Sequence, residues 1–213
     1  MKKTFENLIT IGLGLGAILV LILVYNKYSN NDSILENRPV LENWEKIIDR
    51  NRIIGSPDSP IQIIKFYDYQ CQYCADLENN LNKILSEYPE EVAISYINYP
   101  VLGDVSTKMA ISALCSSVQG NFKSHHNWLY KNKDEIFLEY NITGSDYSNL
   151  ISMGNNSVKD CIENELVDDK LTEDLEIARE LKISSTPTIL VNGVKFVGLI
   201  PLDALKVIIN ETI

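Results

Sequence analysis

The chain contains few cysteine and histidine side chains, the usual ligands of structural zinc. Its 213 residues include four cysteines and two histidines, and the histidines, His125 and His126, are adjacent. A structural zinc site needs two pairs of ligands. Cys71 and Cys74 could form one pair, but the other cysteines stand alone in the sequence. We therefore expect no metal site, and we favour packing roles over functional roles for the two histidines.

Basic residues are also scarce. The chain has 19 Lys and Arg residues against 29 Asp and Glu residues, which gives a formal net charge of −10 and a pI of about 4.7. A surface of this charge repels phosphate backbones, so nucleic acid is not expected as a partner. The hydrophobic content of 45% is sufficient for the core of one domain with accessory segments.

One long uncharged run, Leu8–Tyr25, follows Lys2 and Lys3. Its length is at the lower edge for a transmembrane helix. A cleavable signal peptide is the alternative, but no Ala-x-Ala-like site follows the run, so we favour a retained signal anchor. The positive-inside rule then places residues 1–7 in the cytoplasm and the rest of the chain outside it. Residues 26–45, which begin with a polar stretch, are predicted to be a linker.

The main candidate site follows a hydrophobic, β-prone run, Ile61–Tyr67. Cys71 and Cys74 come next, at the start of a helical pattern. Cys-x-x-Cys after a strand is typical of thioredoxin-type redox sites. The partial positive charge and free N–H groups of a helix N-terminus favour a thiolate, and the second cysteine lies within reach of the first. Half of a zinc site and a purely structural disulfide are the alternatives.

The rest of the chain predicts a mixed α/β domain. A helix over Cys74–Tyr88 and a strand over Glu91–Asn98 complete a strand–helix–strand unit. Residues 104–170 are predicted to be largely helical, and another helix follows over Leu171–Leu181. A hairpin with a type I′ turn at Asn192-Gly193 precedes the last helix.

These segments resemble the DsbA-like branch of the thioredoxin-fold thiol–disulfide oxidoreductases over roughly residues 50–211. The resemblance rests on Phe66–Cys74, on the helical stretch that contains Cys115, and on Ser185–Thr188 before Asn192-Gly193. It implies a thioredoxin-like fold over residues 46–213, with a helical insertion at about 104–170.

The resemblance also implies roles for individual residues. Cys71 and Cys74 would be the catalytic pair. Thr186 and a cis Pro187 would face that pair and bind an extended client peptide. Cys115 and Cys161 are expected to form a structural disulfide, with electron transfer to or from the active pair as the alternative.

Two positions depart from the pattern of the family. Many relatives carry proline after the first cysteine, where this chain has Gln72. Many also carry a buried acid six residues before that cysteine, where this chain has Lys65. A cation at this position would favour the thiolate of Cys74, but it cannot act as a carboxylate relay.

Together with the predicted signal anchor, the resemblance implies a membrane-anchored oxidoreductase that introduces disulfides into exported proteins and needs no cofactor. The expected partners are client proteins with free thiols and a separate membrane protein that reoxidises the cysteine pair. A disulfide isomerase or reductase is the alternative within the class, and a tethered client-binding chaperone is the alternative outside it.

Overall fold

A five-stranded mixed sheet lies at the centre of the fold, which a computed structural model describes for residues 18, 20, 34, 35, 38–143 and 147–212. The strand order is β1-β3-β2-β4-β5. The strands are β1 (Ile53–Ile54), β2 (Ile61–Tyr67), β3 (Val92–Asn98), β4 (Thr188–Val191) and β5 (Val194–Val197). All belong to a unit that spans Asn37–Ile213.

The central pair of strands, β2 and β3, runs parallel. Every residue of both strands is buried, which explains why Ile61–Tyr67 lacks a clean alternation of polar and apolar side chains. Strand β4 pairs antiparallel with β2, and β5 pairs antiparallel with β4. At the turn of this hairpin, Asn192 and Gly193 have positive φ angles of 44° and 83°, as a type I′ turn requires.

Seven helices surround the sheet in the described part of the chain. They are α1 (Gln72–Glu87), α2 (Asp104–Ser117), α3 (Phe122–Thr143), α4 (Tyr147–Ile151), α5 (Asn156–Glu163), α6 (Asp168–Glu180) and α7 (Leu202–Thr212). Helix α1 is the crossover between the parallel strands β2 and β3. Helices α2 to α6 separate β3 from β4, so the predicted helical insertion is confirmed.

The two faces of β2 pack against different layers. Ile64 and Phe66 contribute to a cluster that includes Ala178 of α6 and the partly buried Trp44. Lys65, on the opposite face, contacts α1. A separate cluster holds the insertion together, with Leu114 and Cys115 of α2 packed among residues of α5 and α6.

The segment before the sheet does not form an α-helix, although the spacing of its apolar residues would suit one. The helical spacing of Leu41–Asp49 suggests an α-helix, but the structure has two short 3₁₀ helices, Trp44–Ile47 and Arg50–Arg52. Ile48, between them, has extended backbone angles, which ends the first helix. The apolar side chains of this segment nevertheless reach the core.

Contacts with the sheet begin before the first 3₁₀ helix. Val40 forms a β-bridge with Val194, and the N–H of Leu41 donates to the Gly193 carbonyl oxygen at 3.0 Å. Trp44 packs directly against Gly193, where a Cβ would collide with the indole ring. The β4–β5 hairpin therefore packs against the segment that leads into the first 3₁₀ helix.

The described helices include none with the length and hydropathy of a membrane span. Of the predicted anchor Leu8–Tyr25, only Ile18 and Val20 are among the described residues. The predicted cytoplasmic residues 1–7 lie outside them, as does most of the predicted linker before residue 38.

Candidate active site

Cys71 and Cys74 lie after the central strand β2, at the N-terminus of helix α1. Cys71 is the N-cap residue of α1, with extended backbone angles of φ −74° and ψ 116°. Its carbonyl oxygen accepts hydrogen bonds from the N–H groups of Cys74 and Ala75, at 3.1 Å and 3.2 Å. Both cysteines are free thiols, with 8% of Cys71 exposed and none of Cys74.

The two thiols differ strongly in acidity. The hydrogen bond from Cys74 stabilises the Cys71 thiolate and lowers the pKa of Cys71 to about 6. Burial raises the pKa of Cys74 well above its usual value, and the hydrogen bond with Cys71 raises it further. At neutral pH, Cys71 is therefore mainly a thiolate, and Cys74 is a thiol that donates to it.

Thr186 and Pro187 lie beside Cys71. The Thr186–Pro187 peptide bond is cis, and the Thr186 carbonyl oxygen is 3.5 Å from Cys71 Sγ. The Pro187 carbonyl oxygen accepts a hydrogen bond from the N–H of Gly198 at 2.7 Å. The fold thus brings two pairs of predicted site residues together. The pair Cys71 and Cys74 lies more than a hundred positions from the pair Thr186 and Pro187 in the sequence.

Cys115 and Cys161 form a second, separate site. They are joined by a disulfide with a Cα–Cα distance of 5.8 Å, which links α2 to α5. Both residues are buried in the cluster that holds the insertion together. Neither Cys71 nor Cys74 belongs to this cluster.

Asp68 organises the loop before Cys71. Its buried carboxylate accepts hydrogen bonds from the backbone N–H groups of Gln70, Val101 and Leu102 at 2.8 to 3.0 Å. It also accepts a hydrogen bond from the Ser106 hydroxyl at 2.7 Å. Asp68 therefore ties the cysteine loop to the start of α2, a role that the sequence analysis did not identify.

Lys65 is fully buried beneath the cysteine pair. Its Nζ donates to the carbonyl oxygen of Cys74 at 3.0 Å and to Glu78 Oε2 at 2.5 Å. The charge of Lys65 acts to lower the pKa of Cys74, although burial outweighs it. The direction of this effect is the one predicted from the sequence.

Glu78 is the second residue that sequence reasoning missed. It lies on the buried stripe of α1 with Cys74, Leu77 and Leu81, at helical spacing. A carboxylate among apolar residues on the core-facing stripe of a helix is the signal that could have revealed it. In this chain the buried acid is therefore Glu78 of α1, and the position on β2 where many relatives carry the acid is occupied by Lys65.

The two histidines are buried and belong to different environments. His126 Nδ1 shares a hydrogen bond with the Tyr69 hydroxyl at 2.8 Å, within a group of packed aromatic rings. His125 Nε2 is 2.6 Å from Ser112 Oγ. Burial lowers the pKa of both histidines, to about 4 for His125, so both are neutral at physiological pH. Within the described residues, no group of His, Cys, Asp and Glu side chains is arranged to hold a metal ion.

A thioredoxin-like sheet with two thiols at the N-terminus of its crossover helix defines the class of thioredoxin-fold proteins with a two-cysteine site. The chain belongs to the thioredoxin family, since a family model described as Thioredoxin matches residues 33–211. The predicted family and α/β fold class are confirmed.

Solved structures share the fold. The thioredoxin-like oxidoreductase from Silicibacter pomeroyi superposes with a TM-score of 0.63 at 20% identity, covering 76% of this chain and 92% of the other. The thiol-disulfide exchange protein alpha-DsbA2 from Wolbachia pipientis superposes with a TM-score of 0.56 at 21% identity, covering 88% of this chain and 92% of the other.

The curated relatives include proteins of two kinds. The Na(+)/H(+) antiporter NhaA 3 of Salinispora tropica is 23% identical over 162 residues, which cover 74% of this chain but 24% of the relative. The chain thus spans about a quarter of the antiporter that it matches. The probable disulfide bond formation protein D of Bacillus anthracis is 24% identical over 149 residues, covering 66% of this chain and 69% of the relative.

Proposed function

We propose that the chain is a thiol–disulfide oxidoreductase that introduces disulfides into exported proteins through Cys71 and Cys74. The observation that carries this proposal is the acidic Cys71 thiol at the tip of α1, 3.5 Å from the Thr186 carbonyl oxygen and beside the cis Pro187. The names of the relatives support it, since they include a thiol-disulfide exchange protein and a probable disulfide bond formation protein.

The reaction begins with the oxidised pair. A client thiolate attacks Cys71 Sγ and forms a mixed disulfide, while the Cys71–Cys74 bond breaks and Cys74 leaves with the electron pair and takes up a proton. A second client thiolate then attacks the client sulfur of the mixed disulfide, and Cys71 leaves as a thiolate. The client loses two electrons and the pair gains them.

Exposure and acidity support this assignment of roles. Cys71 is the cysteine with exposed surface, and its low pKa of about 6 makes it a good leaving group. Cys74 is fully buried and suits the resolving role. The backbone around Thr186 and Pro187 would hold an extended client segment next to Cys71.

The oxidising direction follows from the stability of the Cys71 thiolate. A thiolate that is stabilised in the reduced protein makes the disulfide a stronger oxidant.

The Cys115–Cys161 disulfide supports placement in a compartment where thiols are oxidised. We infer that residues 8–25 anchor the chain in a membrane and that residues 26–45 connect this anchor to the domain of residues 46–213, which lies outside the cytoplasm. A membrane redox protein would reoxidise the pair.

The direct test is oxidation of a reduced peptide that contains two cysteines. Stoichiometric oxidised protein should oxidise the peptide, and Cys71→Ser should abolish the reaction. The matched control is the double variant Cys115→Ala/Cys161→Ala, which should retain it. Retention of oxidation by Cys71→Ser would refute the role assigned to the Cys71–Cys74 pair.

The equilibrium potential against glutathione separates the alternatives within the class. We expect a value toward that of a strong oxidant, about −120 mV, and a value near −270 mV would indicate a reductase. Suppression of client aggregation that survives Cys71→Ser, without any thiol exchange by the wild type, would instead support a tethered chaperone.

A further inference from the structure

The buried Lys65–Glu78 ion pair lies directly beneath Cys74 and has no part in the exchange steps described above. No surface of Lys65 is exposed, and only 4% of Glu78 is. Lys65 Nζ bridges Glu78 Oε2 and the Cys74 carbonyl oxygen, at 2.5 Å and 3.0 Å. Because the interior screens charge poorly, the charge of Lys65 acts on the Cys74 thiol, and Glu78 is bound directly to Lys65.

The surroundings of Glu78 keep it ionised. Burial acts to raise the pKa of Glu78, but the charge of Lys65 outweighs burial and leaves the pKa well below its usual value. The Tyr96 hydroxyl of β3 donates to Glu78 Oε1 at 2.9 Å, and His126 Nε2 of α3 is 3.5 Å from the same oxygen. Burial also raises the pKa of Tyr96 and lowers that of His126, so both are neutral and the carboxylate is the negative charge nearest to Lys65.

A polar cleft of about 430 Å³ between α1 and α3 reaches this ion pair. Glu78 and Tyr130 line it, together with Asn79 and Asn127, and Lys131 is the other charged residue in its wall. The Tyr130 hydroxyl is also 3.4 Å from Lys65 Nζ.

Other groups that face Cys74 do not replace this pair. Tyr130, from α3, is neutral because burial raises its pKa well above the usual value. Cys71 accepts the hydrogen bond from Cys74 and raises the pKa of Cys74. The charge of Lys65 and, to a smaller extent, a hydrogen bond to the Asp68 backbone favour the Cys74 thiolate. Glu78 is positioned to oppose Lys65, to which it is bound.

We propose that Glu78 is a positioning residue for the exchange reaction: by binding and neutralising Lys65, it limits how strongly Lys65 stabilises the Cys74 thiolate. The inference deepens the proposed function, on which it rests. When a client or reductant attacks Cys71, Cys74 must leave as a thiolate, and a less stabilised thiolate leaves more slowly. Glu78 thereby slows reduction of the Cys71–Cys74 disulfide.

The first test titrates Cys74 alone, by thiolate ultraviolet absorbance in a Cys71→Ser background. Glu78→Gln should lower the pKa of Cys74 by about one to two units, because Lys65 loses its counter-charge. Lys65→Met should raise the pKa. The double variant Lys65→Met/Glu78→Gln should return it to within about half a unit of the background value, since both charges are gone.

The second test measures the rate at which glutathione reduces the oxidised protein with Cys71 and Cys74 intact. Glu78→Gln should react about three- to tenfold faster than the wild type, because a more acidic leaving thiol departs faster. Lys65→Met should react more slowly. Asn82→Ala is the matched control, since Asn82 lines the same cleft but carries no charge, and it should leave the rate unchanged.

These measurements separate the inference from the proposed function. An unchanged Cys74 pKa and an unchanged reduction rate in Glu78→Gln would overturn the inference, as would a shift in the same direction as that of Lys65→Met. If Glu78→Gln fails to fold because Lys65 is left unpaired, the double variant and Lys65→Met still decide, since equal pKa values and rates in these two would overturn it. A shifted pKa in a protein that never oxidises a dithiol peptide would refute the function and leave the inference standing.

Discussion

The low pKa of Cys71 is a property of the reduced, folded protein. The stability of the reduced form relative to the oxidised form should therefore depend on pH. The folded-state pKa of Cys71 is about 6, against an ordinary value of 9.0. A thiolate whose pKa is lowered by folding contributes stability above its unfolded pKa and loses that contribution as the pH falls through the folded value. The oxidised form has no thiolate and lacks this contribution.

The size of the effect follows from the two pKa values. At about pH 7, linkage gives the reduced form a stabilisation of about 1.4 kcal/mol from Cys71, and at about pH 5 this contribution falls below about 0.1 kcal/mol. Other titrating groups contribute nearly equally to both forms and cancel in the comparison. For a two-electron couple, about 1.4 kcal/mol corresponds to about 30 mV in the oxidising direction.

The assay is denaturant unfolding of the reduced and oxidised proteins at a series of pH values. The difference between their free energies of unfolding should grow in favour of the reduced form from about pH 5 to about pH 7 by about 1.3 kcal/mol. Cys71→Ala under the same redox conditions is the control, because it cannot form the active-site disulfide but still reports any reduction of Cys115–Cys161. Parallel pH profiles for reduced and oxidised wild-type protein would refute the acidity assigned to Cys71.

Two further predictions concern the framework of the site. Replacing Cys115 and Cys161 together with alanine should lower the free energy of unfolding by roughly 4 kcal/mol, as expected for opening a loop with a sequence separation of 46 residues, while thiol exchange is retained in the folded protein. Guanidinium unfolding measures the loss, and an unchanged midpoint would contradict a structural role. Asp68→Ala should lower the stability by about 2 to 4 kcal/mol, because the buried Ser106 hydroxyl and three partly buried backbone N–H groups lose their acceptor. A loss comparable to that of the partly exposed control Asp76→Ala, measured in the same way, would show that the loop does not need the Asp68 carboxylate.

Local patterns in the sequence were enough to predict the elements that carry the site. The buried run at Ile61–Tyr67 and the helical spacing after Cys74 predict the strand, the helix and the position of the thiols at the helix N-terminus. The Asn192-Gly193 pair predicts the hairpin, since its residues tolerate positive φ angles. These predictions succeed because each depends on residues close together in the chain.

The short segment around Trp44 shows where local patterns fail. Its apolar spacing resembles that of an α-helix, yet it forms 3₁₀ turns separated by extended residues. The apolar side chains of this segment are partly buried against the hairpin and α6, which are distant in sequence. Tertiary packing therefore overrides the spacing.

The sequence by itself determined that two cysteines would stand one helical turn apart at the end of a buried strand. Only the tertiary structure decided what surrounds them, because Thr186 reaches Cys71 through strand pairing and Glu78 meets Lys65 through the packing of α1 on β2. Acidity depends on charges, hydrogen bonds and burial at short distances in space. A sequence pattern can predict the position of a thiol on a helix. The residues that surround the thiol in the folded protein determine the balance between thiol and thiolate.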